Sequence, residues 1–278
     1  MDAIHINKTR IFPKTKYNIE DFEILTTVLS ALKWREHNGK ITMFTDSAGY
    51  EYYAENNLLS LWDGGVSVSL NAMPDINSDM FWAGGKIFAL GQCSAPVAMI
   101  DTDFIVWAPL AFDNLPALTV IHSEDIYPDV YPPREHFKMK SGYRFDKDWN
   151  WSKRPLNTAF TVIKSEELLQ YYTKSAMDFM QNAEDADDNL TYMVFAEQRL
   201  LAMCADKMGV EVKELSNLEN LFRDGERYFT HIWGMKQQMR DNGRLRYDFC
   251  MRCLNRIKRD FPHMIDILKK IDCLKGYF

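Results

Sequence analysis

The chain has 278 residues, of which 46% are hydrophobic and 26% are charged, and its formal net charge is −6. This composition can build the core of one large domain, and no apolar stretch reaches the roughly 20 residues that a membrane span needs. We therefore expect a soluble protein. Since the N-terminus lacks a basic region followed by an apolar block, export is not indicated and a cytoplasmic location is predicted.

Apolar segments alternate with helical patterns along the chain, which predicts an α/β fold with a mostly parallel, Rossmann-type sheet flanked by helices. In the first half, the predicted strands cover 3–7, 40–45, 66–70 and 118–122, and the predicted helices cover 19–35, 50–61 and 78–91. Asn18 is expected to cap the first of these helices. Strand ends and helix starts then share one rim, where ligands bind in such folds.

Residues 124–156 interrupt this alternation, because they combine prolines and many aromatic residues with little periodicity. Long irregular segments in compact domains are frequently binding loops. Aromatics beside charged side chains such as Arg134 and Asp146 suit a sugar ring, which offers both C–H faces and hydroxyls. An aromatic lid packed on the core is an equally good interpretation.

The alternation resumes after this segment. The predicted strands cover 157–163 and 210–214, and the predicted helices cover 165–182, 191–208 and 230–241. Ser165 is expected to cap its helix.

The C-terminal residues are basic. Residues 236–278 contain 11 Lys or Arg and five Asp, so a basic tail follows an acidic body. Apolar residues recur about every four positions in this tail, which predicts an amphipathic helix. Such a helix would contact anionic lipid headgroups at the inner face of the membrane, or would pack its apolar face on the body. The acidic body argues against nucleic-acid binding.

The most informative motif is the D-x-D triplet formed by Asp101 and Asp103 at the end of an apolar run. On an extended strand, side chains two positions apart face the same way, so both carboxylates can face one cation. The apolar, β-branched and aromatic flanks predict a central buried strand, where ionised carboxylates are costly unless they are paired or bind a cation. The alternative is that both residues cap a strand end.

Three later segments follow the D-x-D triplet in order: N157-TAF at a strand start, E197-Q198 on a helix, and T230-HIWGMK with the spacing H-x-x-G-x-x-K. Together they resemble the GT-A glycosyltransferases, most closely glycosyltransferase family 8, the glycogenin and lipopolysaccharide-galactosyltransferase group. The resemblance covers roughly residues 78–240. It implies a GT-A-like nucleotide-sugar-binding catalytic domain over 1–242 and a basic helical extension over 243–278.

By this resemblance, Asp101, Asp103 and His231 are the ligands of a Mn²⁺ or Mg²⁺ ion. Two oxygens and an imidazole nitrogen suit such an ion, which would stabilise the diphosphate that departs when a sugar is transferred. Gly234 would let the backbone approach the diphosphate, and Lys236 would place an ammonium on it.

Further family positions are implied for Lys86, Asn157, Glu197 and Gln198. Lys86 stands where relatives carry a donor-binding Arg, and Asn157 matches the asparagine that contacts the donor sugar. Gln198 matches the glutamine below the anomeric carbon, Glu197 replaces the usual Asp, and these two are the predicted catalytic residues. The alternatives are that Asn157 caps a turn, that Glu197 and Gln198 form an exposed helix pair, and that His231 bonds a backbone carbonyl at a helix start.

The chain also departs from the family pattern. Ala159 stands where the family has Gly, and two glutamines replace the Pro-Trp pair that follows the family's lysine. The resemblance implies a retaining reaction, and these departures leave inversion open, with Asp125, Asp146 and Glu197 as candidate bases.

We therefore predict a metal-dependent hexosyltransferase that moves a hexose from a nucleotide sugar, with UDP as the expected nucleotide, to a glycan or glycolipid acceptor. One alternative is a degenerate relative that binds a nucleotide sugar or glycan without turnover. Another is a metal-dependent nucleotidyltransferase or phosphohydrolase, for which the sequence offers no Gly-rich phosphate loop.

Overall fold

The computed structural model describes residues 1–9, 17–222 and 227–278. They form two compact units between which the chain passes several times. Unit 1 contains Met1, Ser69–Ile100 and Ala111–Glu219, and unit 2 contains Asp2–Val68, Asp101–Leu110 and Asn220–Phe278. The predicted division into 1–242 and 243–278 stays a prediction.

Strands and helices alternate along most of the chain. The strands are β1 (Ala3–Asn7), β2 (Ile41–Thr45), β3 (Val66–Ser67), β4 (Val97–Ile100), β5 (Phe104–Val106), β6 (Leu118–Ser123), β7 (Leu156–Ile163), β8 (Val212–Glu214) and β9 (Phe229–His231). The helices are α1 (Asp21–His37), α2 (Ser47–Glu55), α3 (Gly84–Leu90), α4 (Glu166–Asn182), α5 (Thr191–Val194), α6 (Leu200–Lys207), α7 (Leu218–Phe222), α8 (Lys236–Asp241), α9 (Gly243–Asp260) and α10 (Ile265–Leu268).

The predicted α/β class with a mostly parallel arrangement of strands is confirmed. In unit 2, β1, β2 and β3 are parallel neighbours in the order β3-β2-β1, with α1 and α2 in the crossovers. In unit 1 the order is β4-β7-β6-β8, where β8 is parallel to β6 and β7 is antiparallel to both its neighbours. Strands β5 and β9 form a separate antiparallel pair in unit 2.

Several element boundaries differ from the predictions. Helix α1 begins at Asp21 after Glu20, and Asn18 is not its cap, because it lies too far ahead of the first helical N–H groups. The predicted helix 50–61 is α2 followed by a separate 3-10 turn at Leu59–Leu61, since Asn57 adopts a left-handed φ of 56° that ends the helix. Ser165 does cap α4, accepting from the N–H of Leu168, as predicted.

The predicted helix over 230–241 is wrong in its first half. Residues 229–231 are a strand, a 3-10 turn follows at Trp233–Met235, and only then does α8 begin. Aromatic and β-branched residues favour strands, and here they pair with β5, so a tertiary partner decides the conformation of this segment.

The aromatic residues of 124–156 are mostly packed inside unit 1. The ring of Phe137 lies 4.6 Å from that of Phe195, and Trp151 stacks on Phe195 at 5.2 Å. Tyr131 is buried, whereas Tyr127 is 60% exposed. The packed-lid interpretation therefore describes most of this segment.

The amphipathic helix of the basic tail is α9, and its apolar face packs within unit 2 against α1. Two ion pairs join these helices: Lys33 to Asp260 at 2.6 Å and Arg246 to Asp21 at 2.7 Å. The packing interpretation thus accounts for the apolar stripe, and lipid contact through the charged face stays a prediction. Among the described residues, every helix is too short or too polar to cross a bilayer.

Candidate functional site

Asp101 and Asp103 lie in a tight turn rather than on the extended strand that was predicted. The apolar run divides into β4 and β5, and the N–H of Phe104 donates to the carbonyl of Asp101 at 2.9 Å across the turn. Apolar flanks on both sides are equally compatible with two short buried strands, which is why the pattern did not reveal the turn. The two carboxylates still lie close together, because the turn, and not strand pleating, aims them.

His231 joins the two aspartates through strand pairing. In the β5–β9 pair, His231 is the partner of Phe104, the residue that follows Asp103. One ligand atom from each of Asp101, Asp103 and His231 lies within 4.8 Å of the others, and His231 Nε2 is 3.8 Å from Asp103 Oδ1. Residues 128 positions apart in the chain are thus brought to one point, as the H-x-x-G-x-x-K resemblance implied, although His231 ends a strand and does not start a helix.

A chain of buried hydrogen bonds runs from Trp62 through His5 and Ser30 to β5, next to this cluster. Trp62 Nε1 donates to His5 Nδ1 at 3.2 Å, His5 Nε2 bonds Ser30 Oγ at 2.9 Å, and Ser30 Oγ donates to the carbonyl of Phe104 at 2.5 Å. Burial lowers the pKa of His5 to about 3, against an opposing effect of Asp103, so the imidazole is neutral. A neutral ring that accepts at Nδ1 must donate at Nε2, so Ser30 Oγ accepts from His5 and donates to the carbonyl of Phe104.

Lys236 lies directly beside the acidic cluster. Its Nζ is 2.9 Å from Asp103 Oδ2 and 3.4 Å from Glu23 Oε1. Burial by itself lowers the pKa of Lys236, but the carboxylates of Asp103, Glu23 and Asp101 outweigh it and raise the pKa above its ordinary value. Glu23 was missed in the sequence, since a single glutamate in the first turn of a helix is most simply explained by the helix dipole.

The donor set fits a divalent cation. Ligand atoms on opposite sides of an ion bound at about 2.0–2.6 Å are up to about 5 Å apart, so the 4.8 Å spread is compatible with one shared ion. Among the described residues, the ammonium of Lys236 approaches both Asp103 and Glu23, and the guanidinium of Arg240 approaches Glu23. The structure shows that Asp101, Asp103 and His231 converge. Metal binding by these residues stays a prediction.

The predicted residues Lys86, Asn157, Glu197 and Gln198 belong to unit 1. Lys86 Nζ donates to Glu197 Oε1 at 2.8 Å, and Thr158 Oγ1 donates to the same oxygen at 2.8 Å. The Glu197 side chain is only 2% exposed. The interpretation of an exposed helix pair is therefore wrong for Glu197.

Glu197 and Gln198 lie in a π-helical turn, Phe195–Arg199, between α5 and α6. Such turns are frequent at functional sites. The amide oxygen of Gln198 accepts from the hydroxyl of Tyr131 at 2.6 Å. Asn157 lies in β7, where its Nδ2 donates to Glu124 at 3.0 Å and its Oδ1 accepts from the N–H of Ala159.

The candidate bases for inversion differ in their surroundings. Asp125 is exposed and pairs with Arg154 at 3.0 Å. Asp146 is bonded by Lys207 and Tyr171; although burial raises its pKa, these donors and the N–H of Asp148 lower it to about 2. A carboxylate with so low a pKa is a poor proton acceptor near neutral pH.

A cavity of about 490 Å³ lies in unit 1 along the irregular segment. Aromatic side chains of Tyr131, Trp149 and Trp151 line it together with charged groups that include Arg134 and Asp146. The volume is in the range of small-molecule sites, and the mixture of aromatic faces and charged groups suits a saccharide.

A family model matches residues 5–264 of the chain, which is most of its length. The chain belongs to DUF6734, a family of unknown function. None of the curated proteins matches it.

Some solved structures resemble the chain. They include the PaToxG glycosyltransferase (12% identity, 74% of this chain and 69% of that chain, TM-score 0.39), and the apo form of mouse xyloside xylosyltransferase 1 (11%, 77% and 85%, TM-score 0.39). The apo WbbM bifunctional glycosyltransferase matches with 13% identity over 77% of this chain and 38% of that chain, with a TM-score of 0.44. At these identities and TM-scores, the likeness carries no information about substrate or activity.

Proposed function

We propose that this protein is a metal-dependent glycosyltransferase that moves a hexose from a nucleotide sugar, with uridine diphosphate as the leaving group, to a saccharide-containing acceptor. The observation that carries the proposal is the convergence of Asp101, Asp103 and His231 within 4.8 Å, with Lys236 beside them. These four residues are the ones that the glycosyltransferase family 8 resemblance assigns to the cation and the diphosphate.

The chemistry requires stabilisation of a departing diphosphate. A divalent cation held by the three ligands would act as a Lewis acid toward the phosphate oxygens. Lys236 would add an ammonium donor to the diphosphate, and Gly234, in the turn that precedes it, would leave the backbone room for the phosphates.

The acceptor is proposed to bind in the cavity lined by Tyr131, Trp149 and Trp151. Gln198, the predicted residue at the anomeric carbon, receives a hydrogen bond from Tyr131 of this cavity. Arg199 holds the cavity wall from behind, because its guanidinium donates to the carbonyls of Tyr131, Pro132 and Trp151. This arrangement supports a saccharide acceptor in preference to a flexible apolar one.

The proposal is tested by calorimetric titration of UDP with and without Mn²⁺. We expect measurable binding only with Mn²⁺, and we expect Asp103→Ala to abolish it while the far-UV spectrum stays unchanged. Asp113→Ala, which removes an exposed carboxylate, is the matched control. Metal-independent binding, or no binding of UDP at any Mn²⁺ concentration, would count against the proposal.

A second candidate is a protein that binds a nucleotide sugar without turnover. It is favoured by the pairing of Glu197 with Lys86 and of Gln198 with Tyr131, which commits both predicted catalytic residues to internal bonds. Slow hydrolysis of a UDP-sugar without acceptor separates the two candidates. Release of UDP indicates a transferase, release of UMP indicates phosphodiester chemistry, and binding without any release indicates the degenerate relative.

A further inference from the structure

The ammonium of Lys236 lies beside an aspartate that the proposed cation would use. Its Nζ lies 2.9 Å from Asp103 Oδ2, which is the distance of a charge-assisted hydrogen bond, and Asp103 is largely buried. A divalent ion shared by Asp101, Asp103 and His231 would place two positive charges close to this ammonium. The ammonium therefore disfavours a cation by charge repulsion, although it pairs with Oδ2 of Asp103 while Oδ1 faces His231 at 3.8 Å.

Glu23 offers Lys236 a second carboxylate. The Oε1 atom of Glu23 is 3.4 Å from Lys236 Nζ. Glu23 lies in the first turn of α1, and the burial of this helix in unit 2 fixes the position of Glu23. Arg240, one turn further along α8, pairs with Glu20 at 2.7 Å and approaches Glu23 at 3.8 Å. Lys236 can consequently leave Asp103 and still have a counter-ion within reach.

We propose that Glu23 is a positioning residue for Lys236, and that the arrangement Asp103–Lys236–Glu23 makes the binding of a divalent cation and of a nucleoside diphosphate cooperative. This inference rests on the proposed function. Without nucleotide, the ammonium of Lys236 beside Asp103 weakens binding of the cation. A diphosphate would draw the ammonium onto its own oxygens, which would relieve the repulsion of a cation at Asp103. Glu23 would lower the cost of this exchange by holding Lys236 nearby.

Cooperativity of this kind is reciprocal. If UDP tightens Mn²⁺ binding by some factor, Mn²⁺ must tighten UDP binding by the same factor. Direct coordination of phosphate to the cation would contribute to this tightening of Mn²⁺ binding by UDP in every variant. The contribution of Lys236 to the tightening would disappear when its ammonium is removed. The lysine contribution is therefore isolated by comparing the factor between variants.

The experiment measures the dissociation constant of Mn²⁺, from the electron paramagnetic resonance signal of the free ion, with and without saturating UDP. For Lys236→Met we expect Mn²⁺ alone to bind on the order of tenfold more tightly than to wild type, and the tightening by UDP to fall by a similar factor. Lys258→Met, which removes an exposed ammonium from α9, is the control and should match wild type.

Glu23→Gln tests the positioning role. We expect Mn²⁺ alone to bind several-fold more weakly, because Lys236 is then left with Asp103 as its nearer partner. In the double variant with Lys236→Met, most of this effect should vanish, since Glu23 is proposed to act through the lysine. An undiminished effect of Glu23→Gln in the double variant would show that it acts independently and would overturn its assignment.

The outcomes separate this inference from the proposed function. If wild type binds Mn²⁺ and UDP together but Lys236→Met binds Mn²⁺ no more tightly than wild type, the inference is overturned and the proposed function stands. If wild type binds no Mn²⁺ even with UDP, both are overturned.

Discussion

The ion pair between Glu197 and Lys86 is expected to stabilise unit 1. Glu197 Oε1 accepts from Lys86 Nζ and Thr158 Oγ1, both at 2.8 Å, and the two charged side chains are 2% and 16% exposed. Removing one partner of a buried ion pair costs about 3–5 kcal/mol. Because Gln keeps an oxygen for Thr158 and Lys86 retains some access to water, we expect Glu197→Gln to cost about 2–3 kcal/mol.

The assay is urea unfolding followed by intrinsic fluorescence and circular dichroism. With a slope of about 3 kcal/mol/M, the midpoint of Glu197→Gln should fall by up to about 1 M. Glu211→Gln, at an exposed position, is the control and should stay within about 0.5 kcal/mol of wild type. In a double-mutant cycle with Lys86→Met, the combined cost should be clearly less than the sum of the single costs. Additive costs, or a midpoint for Glu197→Gln equal to that of the control, would refute this reasoning.

Three further predictions concern stability. Asp260→Asn leaves Lys33, whose side chain is 4% exposed, paired with the more exposed Glu36, and should lower the free energy of unfolding by about 2–3 kcal/mol in urea titrations. Lys207 and other donors lower the pKa of Asp146 to about 2, below its value of about 3.9 in the unfolded chain. The ionised Asp146 therefore stabilises the fold above about pH 4, and this stabilisation is lost as the pH falls from about 4 to 2. When urea midpoints are measured against pH, Asp146→Asn should not show this loss of stability. Deleting 243–278 should lower the melting temperature in calorimetry, because the face of α1 that α9 covers would meet water, and an unchanged melting temperature would favour a tail that is independent of the body.

Local signals were sufficient for much of the fold. Strand β1 has the predicted limits, β6 and β7 each differ by one residue, and Ser165 caps α4 as its sequence indicates. These elements carry their information within a few residues: alternation or continuity of apolar side chains, and a hydroxyl one position before a helix.

The local conformation at the candidate site could not be predicted in this way. The turn at Asp101 interrupts an apolar run without a Gly or Pro to mark it, and β9 is a strand because β5 is its neighbour. The family resemblance nevertheless assigned Asp101, Asp103, His231 and Lys236 to one site, and the structure brings these residues together. The order of motifs along the chain indicates long-range contacts, which hydrophobic periodicity does not. The pairing of Glu23 with Lys236 joins residues more than 200 positions apart and had no signal in the sequence.

The most direct measurement is electron spin echo envelope modulation of Mn²⁺ bound to the protein with UDP. If Asp101, Asp103 and His231 share one cation, the spectrum should contain a ¹⁴N coupling from one imidazole, together with ³¹P couplings from the diphosphate. The nitrogen coupling should disappear in His231→Ala and persist in the control His136→Ala. Bound Mn²⁺ with no nitrogen coupling in wild type, or with a coupling that survives His231→Ala, would contradict the assignment of this site.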